Sequence, residues 1–226
     1  MSRISFSRLD PLIMHQFLRI RDSGVATYDW LQPENIVLSN REQAYLNDIQ
    51  ARLLNERLQL MNEATIWARA IYPLLVLAER DTIRAYAGVH LIAQYPRLVF
   101  DETIDGILGQ ANAGQIEVSH LLVLHVKRGL DAKKLQMQLY GQMLAAAYLN
   151  WQIDQRIPQE IFGCYTIFDT WTFVRCEVEG FEDEQVSLRV EFSREFSERL
   201  EAATILKILK GIIARRLAQT ELASTG

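Results

Sequence analysis

The stretch LLVLHVKRGLDAKKLQMQLYGQMLAAA, residues 121–147, changes its hydrophobic pattern part-way along. It begins as a nearly continuous run of Leu and Val, which is typical of a β-strand covered on both faces. Gly129 ends this run, and residues 130–153 continue with the pattern of a helix of about six turns. A buried strand followed directly by a long helix predicts an α/β or α+β fold with this strand at the centre of the sheet.

The segments around this stretch predict a mixed sheet with flanking helices. Two strand-like segments joined by a short turn at Tyr95 and Pro96 predict a hairpin. Residues 62–79 form a helix that is apolar on nearly every side, which indicates burial between layers. We expect this helix and the long helix after Gly129 to flank one mixed sheet formed by residues 83–127 and 160–167.

The remaining segments extend this core at both ends. Residues 1–40 contain turn signals and predict one or two strands. Residues 41–60 predict a helix capped by Ser39 or Asn40. Further antiparallel strands follow residue 167, and a C-terminal helix capped by Ser197 ends the chain.

The length of 226 residues and the hydrophobic content of 49% predict a single domain over residues 1–226. Its core is expected at about residues 62–167, with an N-terminal extension at 1–40 and C-terminal strands and a helix at 168–226. Pro73 is expected to kink the helix in which it lies.

Composition excludes several classes of protein. No apolar run approaches the roughly 20 residues that cross a bilayer, and the N-terminus lacks a secretory signal, so we expect a cytoplasmic protein without a membrane partner. Cys164 and Cys176 are too few for a disulfide framework, and we interpret them as reduced structural thiols. A net charge of −4 disfavours binding of nucleic acid over the whole surface, so any such contact must be local.

Polar residues at the end of the buried strand require an explanation. Side chains alternate across a strand, so His125 and Lys127 point to one face and are neighbours in space. The same alternation puts Asp101, Thr103 and Asp105 on one face of the preceding strand. If the two strands pair in a suitable register, Asp105 approaches His125 and Lys127.

These residues and their order resemble the core of the PD-(D/E)XK nuclease superfamily over roughly residues 62–167. The "IDG" of residues 104–106 supplies Asp105, and the "HVK" of residues 125–127 supplies Lys127. In that family the Asp and an acidic residue two positions before the Lys bind a divalent metal, and the Lys positions or activates the attacking water. The resemblance implies a restriction-endonuclease-like mixed sheet, Mg²⁺ or Mn²⁺ as cofactor and hydrolysis of DNA; a homodimer stays open.

Further residues extend the resemblance. Gln136 and Tyr140 have the Gln-x-x-x-Tyr spacing of the RecB-like exonuclease branch, and Glu63 matches a glutamate that many members carry on the helix before the hairpin. The basic residues at the start of the long helix would contact the DNA backbone; they are Arg128, Lys133 and Lys134.

The chain departs from the family at His125, where a carboxylate is expected. Mg²⁺ prefers oxygen ligands, whereas imidazole suits softer ions such as Mn²⁺ or Zn²⁺. Glu63 would compensate if its helix brought it over Asp105, which would give a metal site of Asp105, Glu63 and His125.

Simpler interpretations stay open. Asp105 before Gly106 is also consistent with a turn at a strand end, and His125 with a hydrogen-bonded core histidine. Lys127 is also consistent with a side chain that reaches solvent, and Gln136 and Tyr140 with simple packing or capping. Two functions follow: a metal-dependent nuclease with a degenerate site, or a catalytically inactive nuclease-fold module that binds nucleic acid or protein.

Overall fold

A computed structural model describes residues 2–4, 11–112, 114–127 and 132–224. The described strands are β1 (Ser2–Ile4), β2 (Leu18–Val25), β3 (Ile83–Gln94), β4 (Leu98–Asn112), β5 (Gln115–Lys127), β6 (Gln159–Ile167), β7 (Thr170–Glu179) and β8 (Val186–Ser197). The described α-helices are α1 (Pro11–Phe17), α2 (Asn40–Leu54), α3 (Glu63–Ile66), α4 (Tyr72–Ala78), α5 (Ala132–Asp154) and α6 (Glu198–Ser224).

The described strands form one mixed sheet of eight strands. The strands pair in the order β1, β4, β5, β6, β7, β8 and β2. The β3 strand also pairs with β4, on the edge of β4 that faces away from β5. The β5 strand is antiparallel to β4 and parallel to β6, so it lies inside the sheet. The predicted mixed α/β architecture, with flanking helices and a C-terminal helix, is therefore confirmed.

Two hydrophobic cores cover the two faces of the sheet. Leu122, Leu124 and Val126 of β5 enter the core that contains the apolar residues of α2, α4 and α6. Val123 enters the opposite core, which contains the apolar residues of α5. The alternation explains why nearly every residue of this strand is apolar.

The α5 helix is enclosed on every side along its middle. All residues from 137 to 147 are buried, which spans three helical turns. Tyr95, at the end of the β3–β4 hairpin, donates a hydrogen bond of 2.8 Å to the Leu144 carbonyl. A Cβ at Gly163 of β6 would lie 2.6 Å from Met143 Sδ, so this glycine lets the helix approach the sheet.

A π-helical turn, Trp67–Ile71, lies between α3 and α4, directly before the predicted kink at Pro73. Pro73 lies in the first turn of α4, which continues from this turn without a break. Two other local features differ from the predictions. The helix predicted to reach residue 60 ends at Leu54, and α1 was not predicted because residues 1–40 lack a sustained helical period.

The N-terminus of α2 is a capping box, as the predicted cap at Ser39 requires. Ser39 Oγ accepts a hydrogen bond of 3.3 Å from the backbone N–H of Glu42. The Glu42 carboxylate in turn accepts a hydrogen bond of 2.7 Å from the backbone N–H of Ser39. The short motif thus fixes where this helix begins.

A largely buried ion-pair cluster lies under the second half of α6. Arg175 of β7 pairs with three carboxylates, those of Glu160, Glu177 and Glu191, at 2.6, 2.6 and 3.2 Å. Arg215 of α6 also pairs with Glu160, at 3.2 Å. The cluster joins α6 to three neighbouring strands.

Replacing Arg175 by Met should lower the free energy of unfolding by about 3–5 kcal/mol, because buried carboxylates lose their counter-charge. Urea unfolding at pH 7 measures the loss. Arg80→Met is the control, since Arg80 pairs with Asp81 on the surface and should lose under about 1 kcal/mol. Equal losses in both variants would contradict a stabilising role for the cluster.

The first residue of α6 is a buried carboxyl. Glu198 accepts a hydrogen bond of 2.8 Å from Trp171 Nε1, and its other carboxyl oxygen has no hydrogen-bond partner among the described residues. Burial, with a smaller contribution from Asp169, raises the pKa of Glu198 to about 8. The folded protein therefore holds a proton here that the unfolded chain releases near pH 4.5.

The contribution of Glu198 to stability should consequently fall as the pH rises from 4.5 to 8, and Glu198→Gln should remove this contribution. At pH 8 we expect the variant to exceed the natural protein by on the order of 3 kcal/mol, and by far less at pH 5. Urea titrations at several pH values test this. The exposed Glu182→Gln provides the control, and a pH dependence that is unchanged in Glu198→Gln would refute it.

Candidate functional site

The candidate site lies where β4 and β5 stop pairing. Their register runs as far as Gly106 opposite Leu124, and the next residues along are Asp105 and His125. Asp105 Oδ2 accepts a hydrogen bond of 2.8 Å from the backbone N–H of Val126. The Asp105 carboxylate therefore provides an acceptor for the Val126 N–H, at the point where β4 and β5 no longer pair.

Asp105 and His125 are brought together at this point. Asp105 Oδ2 lies 3.0 Å from His125 Nδ1. The His125 residue is only 7% exposed, whereas the Asp105 side chain is 43% exposed. Since Asp105 lies inside β4, the interpretation of it as a strand-end turn residue is wrong.

Two glutamines of α5 hold the imidazole ring. His125 Nε2 lies 2.9 Å from Gln138 Oε1, which can only accept, so Nε2 carries a proton. Gln142 Nε2 lies 3.2 Å from Nδ1. Nδ1 therefore accepts from Gln142 when it is unprotonated and donates to Asp105 when it is protonated. Gln142 Oε1 is buried and has no hydrogen-bond partner within the described residues.

Sequence reasoning chose a different pair of residues on this helix. Gln136 donates a hydrogen bond of 2.7 Å to the Tyr140 hydroxyl, and burial is the main cause that raises the pKa of Tyr140. At about 100° per residue, these two positions lie on the other side of α5 from Gln138 and Gln142. The signal that was missed is a pair of amides, four residues apart, within a helix that is otherwise apolar there.

Glu63 was predicted to be a third metal ligand from the helix before the hairpin. It begins α3, where Ile66 enters the core on the sheet face opposite α5, while His125 faces α5. Within the described ranges, no group of three His, Cys, Asp or Glu side chains is arranged to hold a metal ion. Asp105, Glu63 and His125 are not found as such a group among the described residues, and a ligand role for Glu63 stays a prediction.

The Trp67 side chain packs against the strand that carries Asp105. Its indole lies against Gly106, where no Cβ would fit. The glycine after Asp105 thus serves the packing of the helix on one face, while Asp105 serves the other face.

The predicted basic residues are only partly described. Lys127 ends β5, where its backbone pairs with Ile167, and Lys134 is exposed in the first turn of α5. The side chains of Lys127 and Lys133, and the whole of Arg128, lie outside the described residues. Their contacts with metal-bound water or DNA stay predictions.

The other histidines have structural partners or are exposed. His90 lies 3.1 Å from Asp101 and 3.3 Å from Thr103 on the exposed hairpin. His120 is buried, its backbone N–H donates to Asn150 at 2.8 Å, and burial lowers the pKa of its side chain to about 4. His15 is exposed. Both cysteines are buried and free, as predicted.

Among known proteins, no family model matches the chain and no curated protein is recognisably similar to it. None of the described helices is both long enough and apolar enough to cross a bilayer.

The two glutamines should differ in their contribution to stability. Gln138→Met leaves the Nε2 proton of a buried imidazole without an acceptor and should cost about 1–3 kcal/mol. Gln142→Met removes an amide whose oxygen has no partner, so it should cost less than about 1 kcal/mol. Urea unfolding compares the variants, and a larger loss in Gln142→Met would contradict this assignment of partners.

Proposed function

We propose that the chain is a PD-(D/E)XK-like domain that binds nucleic acid and whose metal-dependent hydrolysis is lost or slow. The observation that carries this proposal is the setting of His125. It stands where the family places a metal-binding carboxylate, and it is buried between Asp105, Gln138 and Gln142.

This setting disfavours a Mg²⁺ site. Mg²⁺ prefers oxygen ligands in octahedral geometry, and Asp105 is the only carboxylate that the described site supplies next to His125. To bind any metal, the ring would have to direct an unprotonated nitrogen to it, and each buried hydrogen bond lost costs about 1–3 kcal/mol. The residues of the site therefore do not fit the cofactor that the family uses.

Nucleic-acid binding is supported by the basic residues that flank this site in the sequence. Lys127, Arg128, Lys133 and Lys134 bring four positive charges into eight residues of a chain whose net charge is −4. Contacts of this kind with phosphates release counterions, so binding should weaken as salt rises. A short basic segment of this kind favours contact with a nucleic-acid strand over contact with a large protein surface.

Slow hydrolysis with a softer ion is the second candidate. Asp105 Oδ2 and His125 Nδ1 lie 3.0 Å apart, and the carboxylate is reached by solvent. Mn²⁺ tolerates imidazole better than Mg²⁺ does. Retention of Lys127 at the family's lysine position also favours this candidate.

Restoring the family's carboxylate should separate the two candidates. In Mg²⁺ we expect the natural protein to cleave DNA slowly or not at all. The His125→Glu variant should cleave faster. Adding Lys127→Ala to His125→Glu should abolish this gain. Assays use single- and double-stranded DNA with Mg²⁺ or Mn²⁺, beside a metal titration. His90→Glu, at an exposed histidine, is the matched control and should gain nothing.

Each outcome is informative. Brisk Mn²⁺-dependent cleavage by the natural protein would make His125 a working ligand and contradict the loss of hydrolysis. Absence of salt-sensitive DNA binding in the natural protein would overturn the nucleic-acid role and leave a protein-binding module.

A further inference from the structure

A row of polar residues continues from the candidate site across the sheet. His125 of β5 pairs with Tyr165 of β6, Tyr165 with Thr172 of β7, and Thr172 with Glu195 of β8. Residues paired in this way share one face of a sheet. Together with Asp105, which contacts His125, the row spans five neighbouring strands on the face that α5 covers.

Burial varies along this row. His125 and Thr172 are buried, whereas Tyr165 is half-buried and Glu195 is exposed. The Tyr165 ring packs against the core on this face. Tyr165 is therefore a partly accessible aromatic side chain directly beside His125.

The row suits contact with a nucleobase better than contact with a phosphate. None of its five residues is a lysine or an arginine, and Asp105 and Glu195 are acidic, so the row is not built to neutralise phosphates. A tyrosine ring instead offers a surface on which a nucleobase stacks, independently of sequence. The bases of a duplex already stack on each other, so an unpaired base is the one available for such a contact.

We propose that Tyr165 stacks on an unpaired base of a bound strand, so that single-stranded nucleic acid is the ligand of this face. The inference rests on the nucleic-acid role proposed above and adds the substrate class. Phosphate contacts would come from the basic start of α5, where Lys134 is exposed. The strand would then run between the start of α5 and the polar row.

Binding of a fluorescent 20-nucleotide oligothymidine to the full chain, followed by anisotropy, tests the proposal. Tyr165→Ala should bind roughly tenfold more weakly, because a stacked base is lost. Tyr165→Phe keeps the ring and should stay within about twofold of the natural protein. Tyr45→Ala, at an exposed tyrosine on α2, is the matched control and should change nothing.

A second measurement keeps the test independent of folding defects in Tyr165→Ala. Irradiation of the natural protein with a bromodeoxyuridine oligonucleotide should crosslink Tyr165, as identified by mass spectrometry. Crosslinks only at other residues, or undiminished binding by a folded Tyr165→Ala, would overturn the stacking contact while the nucleic-acid role stands. Tighter binding of duplex than of single strand would overturn the substrate class, and no binding at all would overturn both proposals.

Discussion

The enclosure of α5 is the constraint on which the rest of the fold depends. Because residues 137–147 are buried all round, any polar side chain among them must find a partner inside the protein. Gln138 and Gln142 find theirs on His125. The imidazole thus contacts the enclosed helix as well as Asp105, so the candidate site is connected to the packed core.

The same site depends on the separation of two strands. Asp105 bonds both to His125 and to the backbone of Val126 at the point where β4 and β5 diverge. One carboxylate therefore has a structural task in addition to any chemical one. A family site that used this oxygen for a metal would have to give up a backbone hydrogen bond or share it.

Strand periodicity was sufficient to predict part of this arrangement. The alternation of side chains allowed Asp105 and His125 to share one face of the sheet, and the register of β4 with β5 brings them together. Periodicity could not tell which face of the sheet each helix covers, and the structure shows that Ile66 of α3 enters the core on the face opposite α5. It also could not give the rotation of α5 about its axis; Gln136 was named from the spacing of the resembled family, whereas Gln138 makes the contact with His125.

Two buried groups far from this site give the protein an asymmetric response to pH. His120 has a pKa lowered from 6.5 to about 4, so it favours unfolding as acid is added over that range. Glu198 has a pKa raised from 4.5 to about 8, so it favours unfolding as base is added. Between pH 4.5 and 6.5 the two effects oppose each other, and above pH 6.5 only that of Glu198 continues. As far as these two groups decide it, the free energy of unfolding changes little in mild acid but falls in mild alkali.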